Sequence, residues 1–371
     1  MQGDAESVSF SFYFGCVLSR LVLMMSTDKA ILNKRNFMKK LLFLVTVTAA
    51  LHTHAQEQTA QETARTFMRS GDFDNAVLVL NRALQSDPKS LDLQKDLIMA
   101  YYYKRDYVKA LEGVKAILAY DSVDVVSYQI AGNVYKALEE VKAADKMYKK
   151  ALKQYPKSGA LHSEYGELLW ATRNHDAIKY WEKGIQEDPS YAGNYYNAAL
   201  YYHNETKNRV WPLVYGEIFI NMESLTPRAT AMKELLLEAY KQKLFTDVDL
   251  TKESEKEKNA FVKAYLLTMD KQSPMVNRGI TTETLTMIRT RFILEWYKAY
   301  GDKFPFRLFD YQQQLIREGM FEAYNQWLFG TVENLPAYEN WTKTHADAYN
   351  KFTTFQRGRV FKMPAGQYYQ N

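Results

Sequence analysis

Few residues in this 371-residue chain could carry chemistry, and their spacing excludes most of what they could do. Beyond residue 55 there are four histidines, His162, His175, His203 and His345. None forms an H-x-x-x-H or H-E-x-x-H pair, the spacing by which one helix face offers two imidazoles to zinc. The single cysteine, Cys16, allows neither an intrachain disulfide nor a cysteine-based zinc site. The closest glycines, Gly159 and Gly166, are too far apart for a G-x-G-x-x-G turn or a P-loop. There is no G-x-S-x-G elbow, and carboxylate neighbours such as Glu139 and Glu140 read as a solvated helix surface. No catalysis, metal or cofactor is expected. What remains is aromatic, with 28 Tyr and 6 Trp. Such side chains can hold a peptide or stack on a sugar ring.

The balance of charge agrees with recognition of something other than nucleic acid. Lys plus Arg is 48 and Asp plus Glu is 43, so a net charge of +5 over this length supplies no strong phosphate footprint. Hydrophobic residues make up 47% and charged residues 25%, the composition of a globular protein.

Residues 38 to 55 have the order of a secretory signal peptide: Lys39 and Lys40, then the apolar run Leu41 to Leu51, then Thr53 and Ala55 as small residues before a cleavage site. The run is too short to span a bilayer. The expected product starts near Gln56 in the periplasm or outside the cell, with no membrane span. Residues 1 to 37 read as a non-native leader, with translation expected to start at Met38.

The elements that must position the aromatic residues are announced by a period. Ala76, Ala110 and Ala144 are each 34 apart, Ala177 follows after 33, and Pro88, Pro156 and Pro189 keep the same phase. Twelve residues before the first three alanines stand Ala64, Ile98 and Gly132, and Gly166 precedes Ala177 by eleven; Phe67, Tyr101 and Tyr135 come three later than the first set. Small residues let two antiparallel helices cross closely, and proline ends the second helix because the residue before it avoids helical geometry. The pattern over 57 to 191 resembles four tetratricopeptide repeats, starting near 57, 91, 125 and 159. Residues 192 to 227 resemble a degenerate fifth, with a lengthened turn at Asn204 to Arg209 and a second helix restarting at Trp211-Pro212.

The resemblance implies an all-α helix-turn-helix solenoid over 56 to 227. It also implies that positions 2, 5, 9, 12 and 13 of each first helix line a concave groove, where Tyr102, Tyr103, Asn133, Trp170, Tyr196 and His203 map. Tyr101, Tyr135 and Tyr202 map to core positions, and His203 is expected as a polar contact on the groove's rim. The family's carboxylate clamp is not matched, since Met99 stands where an Asn is needed. Residues 228 to 371 continue as helices: Ala229 to Lys243, Lys252 to Met269 capped by Thr251, Thr282 to Tyr300, and two opened by Pro305 and Pro336. They are expected to cap the last repeat. The whole chain resembles exported tetratricopeptide proteins of Bacteroidota. The implied function is a non-catalytic scaffold that binds a protein or peptide segment in its groove outside the cytoplasm; the alternative is a carbohydrate-binding module.

Overall fold

The computed structural model describes residues 60–246 and 248–370, so the leader and the signal peptide lie outside the described residues. Helices are the regular structure of these residues, with no strand among them. By contact they form two compact units, one through Asp96 and one from Leu97.

The repeat phase is realised as helix pairs. Helix α1 (60–69) pairs with α2 (Phe73–Ser86), and α3 (Leu91–Tyr103) leads into α4 (Tyr107–Ile117). Next come α5 (Val125–Ala137) with α6 (Val141–Gln154), α7 (Gly159–Ala171) with α8 (Ala177–Glu187), and α9 (Ala192–Glu205) with α10 (Trp211–Met222). Ala76, Ala110, Ala144 and Ala177 are all fully buried, as close helix crossings require. Gly132 and Gly166 mark the tightest approaches: a Cβ on Gly132 would stand 1.8 Å from the Tyr148 hydroxyl, and one on Gly166 would stand 2.3 Å from Trp181 Nε1. Helices α2, α6 and α8 end one residue short of the Asp or Tyr that precedes each proline.

Within four units the turn between the two helices is the same Schellman-type stop. Gly71, Arg105, Glu139 and Arg173 each adopt positive φ, at 81°, 64°, 56° and 59°. The next residue's N–H donates five residues back, as Asp72 to Phe67 and Asp106 to Tyr101 at 2.9 Å, satisfying carbonyls the helix end leaves open. Three of these four left-handed positions carry long side chains rather than glycine, a conformation disfavoured by roughly 1–2 kcal/mol for an L-residue.

After Pro227 the helices depart from the expected bounds. Helix α11 (Pro227–Glu238) widens into a π-helical turn, Ala239–Leu244. The single helix expected from Lys252 to Met269 is two, α12 (Leu250–Lys256) and α13 (Ala260–Asp270). Asp249, not Thr251, caps the first by accepting from Lys252 N at 3.0 Å, and Asn259 caps the second by accepting from Val262 N at 3.0 Å. Helix α14 (Ser273–Val276) is one turn, and α15 (Thr282–Ala299) closes at Gly301 as expected. The helix expected to open at Pro305 is broken by Gly319 at φ 69°, giving α16 (Arg307–Arg317) and α17 (Phe321–Asn325) with a π turn, Gln326–Gly330. Short α18 (Thr331–Glu333), then α19 (Leu335–Thr344) and α20 (Ala346–Arg357), end the chain's helices.

These later helices pack on α10. Glu217 of α10 and Arg289 of α15 form an ion pair with both side chains buried, at relative exposures of 5% and 3%. The same Glu217 oxygen accepts from Gln312 Nε2 at 2.6 Å and from the Tyr324 hydroxyl at 2.7 Å, while Asn325 takes a second arm of Arg289. The apolar partners are Trp211 stacked on Phe261 at 5.6 Å and Phe261 on Tyr369 at 4.9 Å.

Candidate functional site

The candidate aromatic residues lie on the first helices of their repeats, and each is engaged with neighbours. Tyr103, at the end of α3, is 50% exposed. Tyr102 is half-buried, edge-on to Tyr103 at 5.6 Å and tilted on Tyr107 at 5.8 Å. Trp170 is half-buried, edge-on to Trp181 of α8 at 5.3 Å and to Tyr201 of α9 at 6.2 Å, so its ring fills the joint between two units. Tyr196 packs on Phe219 at 4.9 Å beneath the Arg228 guanidinium at 5.0 Å. Asn133 is half-buried on α5.

His203 differs from its expected place on a rim. It is only 6% exposed, its carbonyl accepts from the Lys243 ammonium, and its Nε2 lies 3.6 Å from Glu238. Burial and then the Lys243 charge hold the imidazole's pKa below its ordinary value, against Glu238, so it is neutral at pH 7. The chain brought back by the π turn covers it. Tyr101, Tyr135 and Tyr202, expected in the core, are half-buried, whereas Tyr128, Tyr148, Tyr165, Tyr195, Tyr201 and Tyr215 of the repeats are buried.

What the sequence reading missed is a polar ladder along the first helices. Gln129 of α5 donates to Glu164 of α7 at 2.8 Å, and Asn197 of α9 donates to Glu167 of α7 at 3.0 Å and to Ser163 at 3.2 Å. Lys136 of α5 stands 3.7 Å from Glu167. In the unit to Asp96 the same relation appears as Gln61 donating to Asp96 at 2.7 Å. The bonds join residues 34, 35 or 30 apart, so the period itself was the signal that could have found them. Gln129, Asn133 and Lys136 fall at positions 5, 9 and 12 of one unit, and Ser163, Glu167 and Trp170 at the same positions of the next.

Glu164 lies under this ladder, held by Gln129 and by the Tyr148 hydroxyl at 2.8 Å. Desolvation raises its pKa, with Gln129, Lys136 and Tyr148 opposing. Glu167, Lys136 and Asn133 stay partly accessible, the Glu167 and Lys136 side chains at 41% and 31%. The face therefore offers a carboxylate, an ammonium and an amide in a row, suited to hydrogen-bonding a backbone. Among the described residues no group of three or more His, Cys, Asp or Glu side chains is placed to hold a metal. The buried Glu217–Arg289 cluster adjoins a void of only about 10 Å³, too small for a ligand.

Comparison with known families places tetratricopeptide repeats at residues 62–122 and 125–158. No curated protein sequence matches the chain significantly. Similar solved structures include a thermophilic TPR protein of Thermus thermophilus, at 17% identity and TM-score 0.42 over 49% of this chain and 99% of that one. MamA is 21% identical with TM-score 0.34, covering 48% of this chain and 95% of its own. YrrB, a TPR protein with an unusual peptide-binding site, is 19% identical with TM-score 0.34, covering 47% and 90%.

Proposed function

We propose that the protein is a non-catalytic scaffold that binds an extended protein segment along the first-helix face of its repeats, outside the cytoplasm. The observation that carries this is the ladder through Gln129, Lys136, Glu167 and Asn197, whose accessible members can pair with a segment's backbone; the half-exposed ring of Tyr103 stands on the first helix of the preceding repeat. A ring held at low entropic cost and a row of donors and acceptors suit an extended chain. A sugar site would need open ring faces, and Trp170 is half-buried in the joint between Trp181 and Tyr201. Export is supported by the Lys39-Lys40, Leu41 to Leu51 and Ala55 pattern. Among the described residues no helix is long and apolar enough to cross a membrane.

The test combines Tyr103→Ala, Lys136→Ala and Glu167→Ala, three side chains outside the core, with circular dichroism to establish that the fold is kept. Loss of specific envelope proteins captured by the wild type supports the reading. Unchanged capture by the folded variant, or selective binding on a glycan array instead, would reject it. N-terminal sequencing of the exported protein should begin near Gln56.

A further inference from the structure

On the opposite helix of the third unit the charge is one-sided. Helix α6 exposes Lys142, Lys146, Lys149, Lys150 and Lys153, and Lys157 follows it. Asp145 is the helix's one acidic residue and is already engaged, bonded to Lys149 at 2.8 Å and to the Tyr165 hydroxyl at 2.7 Å. Among the described residues no carboxylate pairs with Lys146, Lys150 or Lys153. These three lysines, with Lys149 and the Asp145 it engages, line a cleft of about 600 Å³ whose apolar lining includes Leu118, Tyr135 and Met147. Volumes of roughly 300–1,000 Å³ hold small ligands or a few side chains.

We propose that this lysine-lined cleft on α6 is a second protein-binding site, which takes an acidic segment that seats an apolar side chain between the lysines. Charge complementarity chooses the sign of the partner, and the apolar lining chooses its anchor. A recess receives a side chain, whereas insertion into a bilayer needs projecting apolar groups, and the outward face of α6 presents lysine. Single-stranded nucleic acid would need open ring faces to stack on, and of the two rings in this cleft Tyr135 is half-buried and Tyr128 buried with its hydroxyl bonded to Gln154 at 3.0 Å. The site's lysines are on the second helix of their unit, and none of them belongs to the first-helix ladder.

The probe is a fluorescein-labelled twelve-residue peptide of glutamates with two leucines, titrated against the protein by anisotropy at low and moderate salt. Binding is expected to weaken at least tenfold in the triple variant Lys146→Gln, Lys150→Gln, Lys153→Gln, whose exposed positions leave the circular dichroism unchanged. It is expected to survive Lys252→Gln, Lys256→Gln, Lys258→Gln, an equal loss of charge elsewhere. A matched peptide with serine for leucine should bind several-fold more weakly. Equal effects of the two triple variants, equal binding of the two peptides, no binding of the leucine peptide, or tighter binding to phosphatidylglycerol vesicles than to that peptide would each overturn the proposal.

Discussion

Gln129 donates its side-chain amide to the Glu164 carboxylate at 2.8 Å, joining the first helices of two successive repeats across 35 residues. The bond is half of a clamp completed by the Tyr148 hydroxyl at 2.8 Å, and it holds a carboxylate in a place that water barely reaches.

That clamp predicts a pH dependence. Burial raises the folded-state pKa of Glu164 above its unfolded value, so between the two the folded protein binds more protons. Stability from this group is full below the unfolded carboxylate pKa and is lost as pH rises through the folded one. Glu164→Gln keeps a hydrogen-bonding side chain without the charge. Its melting temperature relative to wild type should therefore be higher at pH 7 than at pH 4, and a difference that is flat with pH would contradict the assignment.

Gly166→Ala should destabilise the chain although alanine is the better helix former. The new Cβ would meet Trp181, which is fully buried, at 2.3 Å. Overpacking of about 1–3 kcal/mol exceeds the roughly 1 kcal/mol that alanine gains over glycine in a helix. Urea denaturation measures the difference, and an unchanged midpoint would place residue 166 away from a crossing.

The left-handed turns predict a gain at one position and a loss at its counterpart. Arg173→Gly relieves a φ of 59° and should stabilise by up to about 1 kcal/mol, since glycine's extra unfolded entropy offsets part of the relief. Gly71→Ala places a Cβ at φ 81°, where there is open space but a strained backbone, and should cost about 1 kcal/mol. Chemical denaturation of the two variants should move in opposite directions.

Arg289→Met leaves Glu217 charged and buried, which should cost about 3–5 kcal/mol. Adding Glu217→Leu to that variant removes the stranded charge and should recover a large part of the loss. A double-mutant cycle by equilibrium unfolding reads both numbers; additive losses would mean that the pair is not coupled.

Trp170 and Tyr103 should separate sharply in stability. Trp170→Ala empties the joint against Trp181 and Tyr201 and should cost about 3 kcal/mol. Tyr103→Ala, at a half-exposed helix end, should change stability by no more than about 0.5 kcal/mol. Similar melting curves for the two would show that Trp170 is not packed between units.

The sequence by itself determined the repeat. Ala76, Ala110, Ala144 and Ala177 are buried in phase, and the helices stop before Pro88, Pro156 and Pro189, because crossing distance and proline sterics depend on residue type at one position. The lengthened fifth turn was readable for the same local reason. Tertiary structure alone decided what covers each face. Periodicity says that Trp170 and His203 share a first-helix stripe, but Trp181, Tyr201 and Lys243 decide that one fills a joint and the other is enclosed. Glu217 and Arg289, 72 residues apart, carry no mark of each other in the chain, and their burial follows only once α15 lies on α10. The short breaks at Asn259 and Gly319 belong to this second group, since a cap and a left-handed turn compete there with helical patterning on nearly equal terms, and packing tips the balance.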